Sequence, residues 1–222
     1  MKAAVINTSP RSSWNTAKLV KEAARGAESA GAEISYFDLY RQEKFTGCIS
    51  CFACKRFPNE GYCAYKDGLY PILQAIKEAD AVIIGTPNYL GQPSAGFHAL
   101  YERLIFQNIT YQTERPTWYS GTAPTLFIMT SNSPEEAYQP GNFYENVLTP
   151  YIQGLERTVG PTSVLISGNT LQVSDYSRYN WTMFDAQAKI DRHETVFPKE
   201  LEKAFRMGAD LVSDIKQTPE GR

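Results

Sequence analysis

The chain has 222 residues, long enough for one well-buried domain and short for two. Apolar residues make up 42% and charged residues 21%, ordinary globular proportions that exclude wholesale disorder. The formal net charge is −2 with no Lys/Arg block, which argues against nucleic acid as a partner, and no stretch reaches the roughly 18–20 apolar residues that span a bilayer.

The start, MKAAVINTSP, is too short for a signal peptide and reads as a first strand, Ala3 to Asn7. A cytoplasmic address is therefore expected, and structural disulfides are rare there. A polar loop leads into a helix over about 16–30, with Leu19, Val20, Ala23, Ala24 and Ala27 at helical spacing and Gly31 placed to end it. Glu33 to Leu39 reads as the second strand. After a cysteine-rich loop come a helix over about 69–79 and the run AVIIGT, Ala81 to Thr86, of the kind expected in a parallel strand buried on both faces. A helix over about 95–107 follows, then TLFIMT at 125–130 as a fourth strand and a helix over about 144–157. Ser163 to Ser167 is the fifth strand, and a final helix is expected over about 198–216.

Strands alternating with helices argue for one open, doubly wound α/β sheet, a single domain over 1–222. No internal repeat or linker divides it. Two excursions stand out, the cysteine-rich loop at about 46–68 and a polar, aromatic segment at about 173–195 without clean periodicity. The second reads equally as a cover for an active site or neighbouring subunit and as a surface loop.

In such sheets ligands bind beyond the carboxyl ends of the strands. The first loop, TSPRSSWNT, lies there and offers five hydroxyls, the Asn15 amide and the Arg11 guanidinium beside a helix N-terminus. Unpaired N–H groups and the positive end of the helix dipole suit a phosphate. Simple N-capping by Ser13 or Asn15 would need one such side chain, whereas this loop carries many. Neither GxxxxGK[ST] nor GxGxxG occurs.

All four cysteines fall in CISCFACKRFPNEGYC, as Cys48, Cys51, Cys54 and Cys63. The spacing C-x2-C-x2-C-x8-C lets three thiols converge on one centre, and a CxxCxxC run is a feature of [4Fe–4S] ligation. Zinc more often takes two separated CxxC pairs, and a redox disulfide needs only two cysteines. Cluster, zinc and free redox thiols all remain open. Lys55, Arg56 and Lys66 surround the loop, where positive charge favours thiolates or simply forms a solvated rim.

Several motifs then fall together. SPRxxxNT after strand one resembles the GSPRxxGNT loop of the flavodoxin-like NAD(P)H-dependent FMN reductases. EADAVIIGTPNYLGQPSAGFHALYERL resembles that family's EADAIIxGSPVYxxxxSAxLKAFxDRL. The cysteines leading to GYCAYKD resemble the CxxCxxC…GxCxxxDD segment of the iron–sulfur flavoprotein branch. The resemblance runs from Lys2 to about Leu104; beyond Phe127 only the architecture is alike.

It implies a five-stranded parallel sheet of order 2-1-3-4-5 with helices on both faces. It places Ser9, Arg11, Ser13, Asn15 and Thr16 at the FMN phosphate, and Pro87, Asn88, Tyr89, Leu90 and Gly91 along the isoalloxazine and ribityl chain. Ser131, with Asn132 and Ser133, is a weaker candidate for the same edge. The cysteines become metal ligands, and no side chain is assigned a catalytic role because the chemistry is carried by FMN. Thr8 and Trp14 replace two glycines of the family loop, which leaves Trp14 to pack beside the cofactor. His98 stands where the family often has Lys and reads as a core or interface histidine; Glu102 stands for Asp.

The expected function is an FMN-dependent oxidoreductase passing electrons between a ferredoxin-like one-electron carrier and a two-electron acceptor through a [4Fe–4S] cluster and FMN. The alternatives are a cluster-free reductase of FMN or quinones using NAD(P)H, with Tyr89 and 173–195 lining the pocket, and a non-catalytic flavin- or zinc-binding regulatory protein. A homodimer or homotetramer is expected, its contacts drawn from the aromatic segments around Ile109–Tyr119 and Tyr176–Phe184.

Overall fold

The computed structural model describes residues 1–119 and 122–217; Ser120, Gly121 and the last five residues of the expected 1–222 domain lie outside the described residues. Six strands are present among them: β1 (Lys2–Asn7), β2 (Glu33–Asp38), β3 (Ala81–Tyr89), β4 (Gln92–Pro93), β5 (Thr125–Thr130) and β6 (Thr162–Ser167). The helices are α1 (Asn15–Ser29), α2 (Tyr70–Glu78), α3 (Ala95–Asn108), α4 (Thr149–Thr158), α5 (Ala186–Thr195) and α6 (Phe197–Gln217).

Five strands form one parallel sheet in the order β2-β1-β3-β5-β6. This is the expected 2-1-3-4-5 flavodoxin-like arrangement, with the two-residue β4 added as an antiparallel partner of β3. The period-2 alternation of strand side chains divides the core in two. Ala3, Val5, Ala81, Ile83, Leu126, Ile128 and Leu165 face the layer of α1 and α6. Ala4, Ile6, Val82, Ile84, Phe127 and Met129 face α2, α3 and α4. On the first face α1 and α6 approach so closely that a Cβ on Gly26 would lie 1.9 Å from the Phe205 carbonyl oxygen, and one on Gly208 equally close to that of Ala23.

Two boundaries depart from expectation. The helix expected from Tyr144 begins only at Thr149, with Pro150 in its first turn. Proline is suited to the first turn of a helix, where its missing N–H leaves no bond unmade. The excursion at 173–195 is also more ordered than its composition suggests, since its second half is α5. Asp185 caps that helix by accepting from Ala188 N at 3.0 Å. Its buried position is filled by Lys189 instead of an apolar residue, which hid the helical period. Among the described residues no helix is long and apolar enough to cross a membrane.

Candidate functional site

The chain leaves β1 through Thr8, whose N–H and hydroxyl both bond the Gly85 carbonyl at 2.8 and 2.9 Å. The hydroxyl thus replaces a glycine of the family loop without exposing a buried polar group. Ser9 is buried, its N–H on Asn7 Oδ1 and its Oγ accepting from Arg11 N. Asn15 and Thr16 are buried too, Thr16 Oγ1 lying 2.7 Å from Thr130 Oγ1. Ser13 is exposed.

Helix α1 begins after Trp14, and no side chain caps it. The capping alternative, by Ser13 or Asn15, is therefore not what the loop does. The helix presents its first N–H groups without a side-chain acceptor, surrounded by hydroxyls. This donor set fits a phosphate.

The loop is strapped to the segment following β6. Arg11 donates to Gln172 O at 2.8 Å, while Trp14 Nε1 and Asn15 Nδ2 both donate to Leu171 O at 2.9 and 2.7 Å. The Arg11 guanidinium lies 4.0 Å from the centroid of the Trp14 ring. Arg11 is also within electrostatic reach of Tyr89 and Tyr179, so the aromatic excursion overhangs this end of the sheet. There Tyr179 stacks on Trp181 at 4.4 Å.

At the end of β3 the chain turns back into β4 through Leu90 and Gly91, with φ of 55° and 83°. Positive φ at both central residues gives the tight hairpin turn whose twist suits the flanking strands. Gly91 N donates to Asn88 Oδ1 at 2.8 Å. Asn88 Nδ2 in turn donates to Tyr138 Oη and reaches Ser131 Oγ at 3.4 Å. Pro87 is buried, Tyr89 half-exposed, and Leu90 fully exposed at 104% in a conformation that costs a branched side chain energy.

Of the weaker candidates, buried Ser131 spends its hydroxyl on Ser133 N. Asn132 is engaged by Lys189 Nζ, which donates to its O and Oδ1 and to Asn169 Oδ1. Lys189 is a feature of this site that sequence reasoning missed. Burial, reinforced by Arg192, brings its ammonium down to about 8.

The cysteine loop lies against the other half of α3. Cys48, Cys51, Cys54 and Cys63 all line one pocket, closed by Arg103, Phe106 and Gln107 of α3. The turns between cysteines use Ser50 and Phe52 at φ 56° and 57°. Glu102 accepts from Cys48 N at 3.0 Å and Gln107 Oε1 from Cys63 N at 3.0 Å. Arg103 is the anchor. It pairs with Asp67 at 2.6 Å, both side chains buried, donates to Tyr65 O at 2.6 Å and reaches Cys63 Sγ at 3.4 Å.

Lys55 does not face outward as a rim charge. It donates to the Phe106 and Ile109 carbonyls, and burial outweighs its charge at Cys54, whose thiol is pushed up. The Ile109–Tyr119 segment folds back over this loop, with Trp118 against Gly61. His98 sits half-buried with its ring 5.4 Å from that of Tyr151, in keeping with a core histidine.

Four thiols on one pocket fit a thiolate-held group, and so do two buried donors at its wall, Gln107 Nε2 and Arg103 Nε, which have no hydrogen-bond partner among the described residues. Among the described residues no three His, Cys, Asp or Glu side chains stand in metal-holding geometry.

Residues 1–133 match the model of the NADPH-dependent FMN reductase family. An iron–sulfur flavoprotein of Methanocaldococcus jannaschii is 39% identical over 103 residues, 46% of this chain and 51% of that protein. The chain thus spans about half the length of that curated relative. Among solved structures, an NAD(P)H:quinone oxidoreductase from Methanothermobacter marburgensis superposes with a TM-score of 0.68 at 16% identity, over 95% of this chain and 96% of that one. An FMN-dependent NADH-azoreductase from Bacillus anthracis, solved in complex with FMN, gives 0.63 at 14% identity over 97% and 99%. At these identities the two structures speak for the fold.

Proposed function

The chain belongs to the NADPH-dependent FMN reductase family, and from that membership we propose that it is an FMN-dependent oxidoreductase of the iron–sulfur flavoprotein branch. It would move electrons between a one-electron carrier of ferredoxin type and a two-electron acceptor. When bound, FMN supplies a centre that takes electrons singly or in pairs, and a [4Fe–4S] cluster one that passes them singly.

The chain's part is placement. Ser9, Asn15, Thr16 and the uncapped start of α1 would receive the phosphate, with Arg11 offsetting its charge and Ser13 at the rim. Pro87, Asn88, Tyr89, Leu90 and Gly91 would carry backbone groups and apolar surface to the ring. Cys48, Cys51, Cys54 and Cys63 would hold the cluster.

One observation carries this reading: all four thiols open onto a single pocket on α3, the helix whose first turn packs beside the flavin loops. Anaerobic expression, followed by counting iron, acid-labile sulfide, zinc and FMN per chain, tests it. Near four irons, four sulfides and one FMN are expected; FMN without iron would overturn the cluster.

A second reading, a cluster-free NAD(P)H-dependent reductase, is favoured by the grouping of Arg11 with Tyr89 and Tyr179, which sets a cation within electrostatic reach of two phenol groups. Rapid reduction of FMN by NADH or NADPH in iron-free protein would select it. We further place the protein in the reducing cytoplasm, where its four free thiols persist, as a homodimer or homotetramer. A monomeric mass with FMN fully bound would refute the oligomer.

A further inference from the structure

We propose that Gln107, one turn beyond Arg103 on α3, is a positioning residue for the group held by the four cysteines: its Nε2 donates a hydrogen bond to a sulfur of that group and sets how readily it accepts an electron. This rests on reading the cysteine pocket as an iron–sulfur site.

The amide's orientation is fixed from within. Cys63 N–H donates to Gln107 Oε1 at 3.0 Å, so the oxygen must face Cys63 and the NH2 group is the free end. Gln107 is 1% exposed, which leaves Nε2 no bulk water to bond. Six buried polar side-chain atoms lack a partner among the described residues. Of these, only Gln107 Nε2 and Arg103 Nε belong to residues that line the cysteine pocket.

Buried donors are paired as a rule. An unpaired donor at the wall of a four-thiol pocket points to an acceptor inside it, and thiolate and sulfide sulfur are the acceptors such a pocket would hold. Arg103 already reaches Cys63 Sγ with its NH2 group at 3.4 Å. Gln107 thus adds a neutral donor beside a fixed cation.

The effect on electron affinity has a definite sign. One added electron raises the negative charge on the sulfurs, so a hydrogen-bond donor favours the reduced form over the oxidised one. Removing the donor should lower the reduction potential.

Glutamate is close to isosteric with glutamine. Gln107→Glu keeps the oxygen that receives Cys63 N–H and exchanges the donor for a second oxygen, which adds a negative charge when ionised. Gln107→Met keeps the length and removes all polarity. The full-length wild type and both variants would be prepared without oxygen, counted for iron, sulfide and FMN, and titrated with dithionite while the cluster is followed by electron paramagnetic resonance.

At a fixed potential the reduced-to-oxidised ratio should fall about tenfold or more in Gln107→Glu, equivalent to about 59 mV for one electron, and by less in Gln107→Met. Variants that titrate with an iron-loaded wild type overturn the inference alone. A wild type that takes up no iron overturns the reading of the pocket, and this inference with it.

Discussion

Leu90 makes two opposite demands on the chain, and the substitution Leu90→Gly separates them. Its φ of 55° lies in the left-handed region, and its side chain is fully exposed, so nothing packed against it compensates the strain. A non-glycine residue pays roughly 1–2 kcal/mol there. Glycine loses about 0.5–1 kcal/mol more in conformational entropy on folding. The flavin-free variant should therefore be more stable by about 0.5–1 kcal/mol, and a chain of this size would melt about 1–4 °C higher.

The same change should weaken FMN binding. Covering a leucine side chain is worth about 1.5–3 kcal/mol, so losing that contact predicts a Kd at least about tenfold higher. Thermal melts of flavin-free protein and FMN fluorescence titrations measure the two effects separately. An unchanged or lower melting temperature would refute the strain argument. Equal FMN affinity would show that Leu90 does not meet the isoalloxazine.

Asp67→Ala should strand the buried Arg103, costing about 3–5 kcal/mol and lowering the melting temperature on the order of 10 °C. Cys51→Ser should abolish iron uptake but leave about one FMN per chain, because the candidate phosphate loop takes no residue from 46–68; parallel loss of FMN would refute the separation of the two sites. Lys189 titrates near 8 when folded and 10.5 when unfolded, so between these values the unfolded chain binds more protons and native stability should rise with pH. Melting curves from pH 8 to 10.5 should show that rise diminished in Lys189→Met.

The sheet was legible because buried parallel strands write themselves as short apolar runs. AVIIGT and TLFIMT lie where expected, and the order of the five parallel strands follows from the resemblance. The candidate phosphate loop and the cysteine spacing were legible for a related reason: each is contiguous, so its chemistry can be read locally. What the sequence concealed was everything made by distant partners. Trp14 and Asn15 meet Leu171 across more than 150 positions, and nothing in either stretch names the other. Helix α5 stayed hidden because its buried position is a lysine, whose acceptors come from the ends of β5 and β6. Gln107 looked like one more polar residue on a helix. Only its burial beside Cys63 marks it.

Helix α3 ties the two candidate sites together. Ser94 caps it by accepting from Phe97 N, and the same hydroxyl donates to Thr8 O at 2.8 Å in the first loop. Ser94 N donates in turn to Thr86 Oγ1 of β3 at 3.0 Å. These buried hydroxyls lock the first turn of α3 to both loops proposed to receive FMN. Thirteen residues later the same helix presents Gln107 to the cysteine pocket, an axial rise of about 20 Å, and Glu102 and Arg103 meet the cysteine loop at about 12–14 Å. Phe97, Leu100 and Leu104 are buried almost completely between these ends, so the helix cannot shift at one site without being felt at the other. The separation of the two sites is therefore set within one chain by a single packed helix. No second copy of the chain is needed to bring the cysteine pocket and the proposed FMN loops into fixed relation.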